Sequence, residues 1–139
     1  MSYYKFTCDY GEEKECFARN LLGVEKEYKN EFGVNEGDVL FLHNTGGFME
    51  LIYGPFVAET YPRLDMVKGA FDGNMRWQVS FDWEDHVYSA RVGDLYRHSR
   101  KPEFDLVNEP RRLEENEGEW LVETLEQGKK EITYVYGTN

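Results

Sequence analysis

The sequence predicts an α+β domain built around a small curled sheet. Three observations carry this. Apolar or alternating runs of strand length recur along the chain, the helical stretches between them are short, and no regular strand–helix–strand repeat appears. At 139 residues the chain has the length of one domain with its own core, burying roughly two-thirds of its unfolded surface. Residues 1–139 are therefore read as a single domain.

Each element has a local reason. Tyr3–Cys8 (YYKFTC) mixes aromatic and β-prone residues and reads as the first strand. DYGE then turns the chain. From Glu12 to Leu22 the apolar residues Cys16, Phe17 and Leu21 fall at helical spacing among charged or small ones, which predicts a short amphipathic helix stopped by Gly23. A second short helix follows through Lys26–Phe32. Asn35–Asp38 (NEGD) is turn chemistry, and Val39–Asn44 (VLFLHN) is an apolar run of strand length. The turn residues Thr45–Gly47 make Leu51–Thr60 its antiparallel partner. Gly54-Pro55 interrupts that partner, since proline donates no ladder hydrogen bond, so a bulge or bend is expected there.

Met66–Phe71 reads as a helical turn. Arg76–Trp83 is the clearest strand, with Trp77, Val79, Phe81 and Trp83 alternating against Arg76, Gln78, Ser80 and Asp82. Val87–Tyr96 predicts the next strand and Arg111–Gly128 a helix carrying Leu113, Trp120, Leu121 and Leu125. Ile132–Gly137 reads as a closing strand or ordered tail.

Charge narrows the function classes. The net charge of −11 is spread over both halves of the chain and repels polyanions, whose binding draws most of its affinity from phosphate neutralisation. The best local basic patch lies between Arg91 and Arg112, with six basic residues against four acidic ones. There RHSRK makes Arg97, Arg100 and Lys101 the candidates for nucleic-acid backbone contacts. The bland reading of that loop is a solvated surface whose charges pair with Asp94 and Glu103.

Catalysis finds little support. His43, His86 and His98 show no paired metal-ligand spacing, there is no GxSxG, and no glycine-rich phosphate cradle appears. Cys16 has no evident base, and the pairs Glu12-Glu13 and Glu114-Glu115 and the run Asp82, Glu84, Asp85 read as solvated faces. Neither catalytic nor metal-binding residues nor a cofactor is expected. Cys8 and Cys16 lack CxxC spacing and are expected to be free thiols. No bilayer-length apolar run and no leader-like start is visible, which predicts a cytoplasmic protein without a membrane partner.

Glu15–Asn44 (ECFARNLLGVEKEYKNEFGVNEGDVLFLHN) goes further. It resembles the opening of the DCD (development and cell death) domain, with its ECF, Arg, Leu-Phe-Gly-Leu, Gly and LFLFN pattern. Tyr53–Thr60 resembles that family's HGIFEA strand and Ala70–Phe81 its AW-G-QVRF stretch, in the family's order. The DCD domain is similar to the EVE and YTH domains of the PUA-like group. The resemblance thus implies a PUA-like small mixed or antiparallel β-barrel flanked by short helices. In YTH and many EVE domains the corresponding loop reads Gly-Val-Trp, and its tryptophan helps to cage a modified base. Here it reads Gly23-Val24-Glu25.

These readings define the expected site. A non-enzymatic binding module is expected to hold a nucleotide, a modified base or a nucleic-acid end at a barrel mouth formed by Tyr10, Glu25, Asn44, Tyr61, Arg63 and Trp77. Three tryptophans, ten tyrosines and nine phenylalanines supply stacking surface, worth roughly 1–3 kcal/mol per base. The alternative is a DCD-type protein-interaction domain, in which Trp77 and Trp83 are simply core. Oligomeric state is not legible in the sequence.

Overall fold

The computed structural model describes residues 1–46, 50–83, 86–98, 108–128 and 130–132, without the side chains of residues 96–98 and 131. In chain order it runs β1 (Tyr3–Cys8), α1 (Tyr10–Arg19), β2 (Leu21–Val24), a 3-10 helix (Lys26–Glu31), β3 (Val39–Asn44), β4 (Leu51–Ala58) and β5 (Arg63–Leu64). A second 3-10 turn (Ala70–Gly73) leads to β6 (Trp77–Asp82), β7 (Val87–Arg91), α2 (Val92–His98), β8 (Arg111–Leu113), α3 (Glu115–Gly128) and β9 (Glu131–Ile132).

The strands form one mixed sheet in the order β2-β6-β4-β3-β1-β8, with β5 added to β6, β7 to β4 and β9 to β7. Among the described strands only β1 and β3 pair in parallel, Tyr3 opposite Val39 through Cys8 opposite Asn44. The expected irregularity at Gly54-Pro55 is present. Leu40 pairs with Phe56 and Leu42 with Tyr53, so Phe41 alone faces Gly54 and Pro55. That bulge divides β4: residues 51–54 pair with β7 and residues 57–58 with β6. One strand thus feeds two directions, and the sheet curls into an open half-barrel.

Its concave face buries Tyr4, Phe6 and Cys8 of β1, Leu40 and Leu42 of β3, Phe56 of β4 and Phe81 of β6, closed by Cys16 and Phe17 of α1. The convex face, with Val39, Phe41 and Ile52, is covered by Val92 and Leu95 of α2 and Leu121 and Leu125 of α3. Close packing on this side leaves no room at Gly118, where a Cβ would collide with the Tyr3 ring.

Several elements depart from the sequence expectation. The first helix starts at Tyr10 because Asp9 and Glu12 form a reciprocal capping box. It ends at Asn20, whose N–H still bonds the Cys16 carbonyl and whose left-handed backbone then turns the chain out of the helix. Leu21–Val24 is therefore a strand, all four residues buried against β6, where helical spacing predicted helix as far as Leu22. Tertiary burial overrides local period here. Half of Val87–Tyr96 is helical, and Arg111–Leu113 is a strand edge on β1 rather than helix. On β6 the outer face is not wet throughout. Gln78 is buried between Gly23 and the 65–69 turn, its Oε1 accepting the Val67 N–H at 2.9 Å.

Candidate functional site

The curled sheet does not close between β1 and β2, which approach each other without being paired to one another. At the ends of these two strands lies a cavity of about 250 Å³, lined by Thr7, Cys8 and Asp9 from β1 and the turn after it, Gly23, Val24 and Glu25 from β2, and Glu12, Tyr28, Thr45, Met75 and Pro110. Its volume is a little below the roughly 300–1,000 Å³ of pockets for drug-sized ligands. It suits one flat group, not a polymer.

Local chemistry fixes each wall. Asp9 and Glu12 are held by their capping box: the Glu12 N–H bonds Asp9 Oδ1 at 2.8 Å and the Asp9 N–H bonds Glu12 Oε1 at 2.9 Å. Behind them Asn44 Nδ2 donates to buried Glu13 Oε1 at 3.1 Å, and Asn44 Oδ1 accepts the Gly46 N–H at 2.9 Å. The Thr45 N–H bonds the Cys8 carbonyl at 2.9 Å, extending the β1–β3 pairing by one residue at the cavity edge. Opposite, Gly23 permits the Met75 backbone to approach so closely that a Cβ would lie 2.5 Å from the Met75 carbonyl oxygen. Met75 itself has φ 47°, in a 65–75 turn with three further non-glycine residues at positive φ: Asp65, Phe71 and Asp72. That turn is tied to α1 by the Phe71 N–H, which bonds Glu15 Oε1 at 3.0 Å.

Electrostatically the cavity is acidic. Its ionisable wall groups are Asp9, Glu12, Glu25, Cys8 and Tyr28. Burial raises the Glu12 carboxyl above its ordinary value, helped by the charges of Asp9, Glu25 and Glu15. The Cys8 thiol is pushed up by its hydrogen bond with Cys16 and by burial, so it is no nucleophile at neutral pH. Burial also raises the Tyr28 phenol, with Glu109, Glu27, Glu31 and Glu25 adding to it. Such walls accept hydrogen bonds and repel anions. No cluster of metal-ligating side chains occurs among the described residues.

Of the six residues expected at the mouth, Glu25 lines the cavity. Tyr10 follows Asp9 and is exposed, and Asn44 supports the wall from behind. Tyr61, Arg63 and Trp77 lie elsewhere. Tyr61 is exposed, Arg63 sits on the added strand β5, and half-buried Trp77 donates its indole N–H to the Phe32 carbonyl at 3.0 Å beneath the Lys29 ammonium. Arg100 and Lys101 fall outside the described residues, as do Glu84 and Asp85 and the Arg97 side chain. Asp9 and Glu12 were missed, although D-x-x-E before an apolar run signals a capped helix start. Tyr28, Met75 and Pro110 gave no such signal. Cys8 and Cys16 are both free and buried, as expected.

No protein-family model matches the chain, and no curated protein does. Among solved structures it is similar to two complexes of the YTH domain of Mmi1 with RNA. Both superpose with a TM-score of 0.62 at 10% identity, covering 91% of this chain and 82% and 79% of theirs. The architecture thus shares the curled α+β half-barrel fold of these YTH domains, the fold class that the sequence pattern implied.

Proposed function

We propose that the chain is a non-enzymatic nucleic-acid-binding module that seats one base of a single strand in the cavity between β1 and β2. The observation that carries this reading is the wall itself: in a fold shared with an RNA-bound YTH domain, a cavity the size of one flat group is rimmed by Asp9, Glu12 and Glu25. Carboxylates accept hydrogen bonds, so the preferred bases present exocyclic amino or ring N–H groups. Tyr28 and Met75 supply apolar surface against which a ring can lie. Glu25, where the related domains carry a caging tryptophan, favours hydrogen-bond donors over a neutral methyl group. Phosphates are repelled by these walls and fall to Arg97, Arg100 and Lys101, in the stretch of sequence that precedes Pro110. The DCD-type sequence features support a reading nearest that branch of the PUA-like group.

The test titrates short single-stranded RNA and DNA against the wild type, Glu25→Gln, Tyr28→Ala and the triple alanine variant of Arg97, Arg100 and Lys101, at two salt concentrations. The reading expects binding with a preference for amino-bearing bases, weakened by Glu25→Gln and Tyr28→Ala, and a flatter salt dependence for the triple variant. Absence of binding by the wild type at low salt would move the reading to a protein-interaction domain.

A further inference from the structure

We propose that Lys5, His43 and Glu50 form an acid-sensitive latch that holds β8 and the start of α3, and with them the Pro110 wall of the cavity, against the sheet. Lys5 and His43 are both completely buried on the convex face. Lys5 Nζ lies 3.3 Å from His43 Nδ1, and His43 Nε2 lies 3.2 Å from Glu50 Oε1. An ammonium only donates, so Nδ1 accepts and the neutral ring carries its proton on Nε2, pointing at Glu50. The arrangement works for one protonation state of the ring.

The latch reaches β8 through strand register. Lys5 pairs with Arg111, and Arg111 grips buried Glu117 of α3 with both guanidinium nitrogens, at 3.1 and 2.5 Å. Among the described residues, Arg111 opposes the Lys5 charge, while Glu50, Glu109 and Glu117 favour it. His43 feels Lys5 against its protonation and Glu50 in favour. Pro110, which lines the cavity, immediately precedes Arg111.

Acid breaks the latch in a definite way. A second proton on the His43 ring turns Nδ1 from acceptor to donor, facing a buried ammonium at contact distance. The hydrogen bond becomes a like-charge repulsion in a medium that screens it poorly. Burial and the Lys5 charge hold the ring's pKa near 4 instead of 6.5. Any opening that exposes the ring lets it take up the proton, so opening is favoured as pH falls through that interval. Residues 110–118 form the segment that separates, because among the described strands β8 lies at the edge and pairs with β1 alone.

The latch does not depend on what the cavity binds, and its test uses no ligand. Hydrogen–deuterium exchange of the intact chain, corrected for intrinsic rates, is compared at pH 7.5 and pH 5. If opening restores the ordinary ring pKa, the opening equilibrium for residues 110–118 rises about thirtyfold at pH 5. β3 and β4 stay protected. His43→Gln removes the titrating ring and should lose most of that rise, whereas Lys5→Met removes the opposing charge but not the burial, the larger cause, and should lose part of it. Unchanged exchange in the wild type at pH 5, or loss of protection in β3 and β4 together with β8, overturns the proposal. So does an undiminished acid response in whichever of the two variants folds.

Discussion

Substituting Gly23 by alanine tests the joint between fold and cavity. An ideal Cβ at this position lies 2.5 Å from the Met75 carbonyl oxygen and 3.1 Å from Met75 Cβ. Carbon and carbonyl oxygen rest at about 3.3 Å or more, so something has to move by about 0.8 Å. Neither partner yields cheaply. Gly23 is held within β2, whose four residues pair with Trp77–Ser80 of β6. Met75 has φ 47°, a conformation that a non-glycine residue keeps only where its surroundings impose it, and the neighbouring Arg76 carbonyl is bonded by the Asp65 N–H at 2.7 Å. Overpacking of this kind costs about 1–3 kcal/mol. For a domain of this size each kcal/mol lowers Tm by about 3–5 °C. Thermal and urea unfolding should therefore show a Gly23→Ala midpoint several degrees below wild type. Gly33→Ala is the control: a Cβ there meets no atom within 4 Å, and its backbone is outside the left-handed region. It should be neutral or stabilising by up to about 1 kcal/mol. A Gly23→Ala protein that melts with the wild type would refute the inference that Met75 is fixed against β2.

Three further outcomes are expected. Burial, with Arg111 adding to it, draws the Lys5 amine down to about 8 from 10.5. The fold thus carries a disfavoured charge below pH 8 and sheds it above, so stability gains up to about 3 kcal/mol between pH 8 and 10.5. The difference between wild type and Lys5→Met in urea unfolding at pH 7.5 and 10 isolates this rise. Phe56 is fully buried, with ring centroids 4.5 Å from Phe81, 5.4 Å from Trp83 and 6.1 Å from Phe17. Phe56→Ala should cost about 3–5 kcal/mol in denaturant unfolding. Both thiols should resist a thiol reagent in the native state and react together on unfolding, since Cys8 and Cys16 are both buried. Fast native labelling of either would contradict their placement.

How far the sequence could be read depended on the range of the interactions that decide each feature. Val39–Asn44 matches its strand residue for residue, because a compact apolar run between turn residues is a local signal. The Gly54-Pro55 bulge was legible because the missing donor belongs to proline itself. Leu21 and Leu22 were misread as the end of a helix because Cys16, Phe17 and Leu21 keep helical spacing across Asn20. Only pairing with β6, more than fifty residues away in sequence, makes that segment a strand. The site divided likewise. Glu25 was reached through its motif, whereas Met75 and Pro110 enter the wall through the 65–75 turn and the β8 edge, which no short window encodes. Trp77 was drawn to the mouth by its aromatic character, but the Phe32 carbonyl and Lys29 hold it on another side of β6.

The net charge of −11 bears directly on the proposed mode of binding. A module that gripped a strand by its backbone would need a basic face, and one with Asp9, Glu12 and Glu25 at its pocket works against phosphate there. In the proposed mode that opposition orients the ligand: the base, which carries donors and no charge, enters the cavity, and the backbone is held outside it. Affinity then rests on stacking and base hydrogen bonds, with at most three phosphates met by Arg97, Arg100 and Lys101. Single strands release about 0.7 counterion per neutralised phosphate, so log Kd plotted against log salt should have a slope of about 2 or less. The triple alanine variant should bring that slope close to zero while retaining the base preference. A steeper slope in the wild type, or loss of base preference along with the slope, would mean that the strand is held by its backbone and that the acidic cavity is not where the base sits.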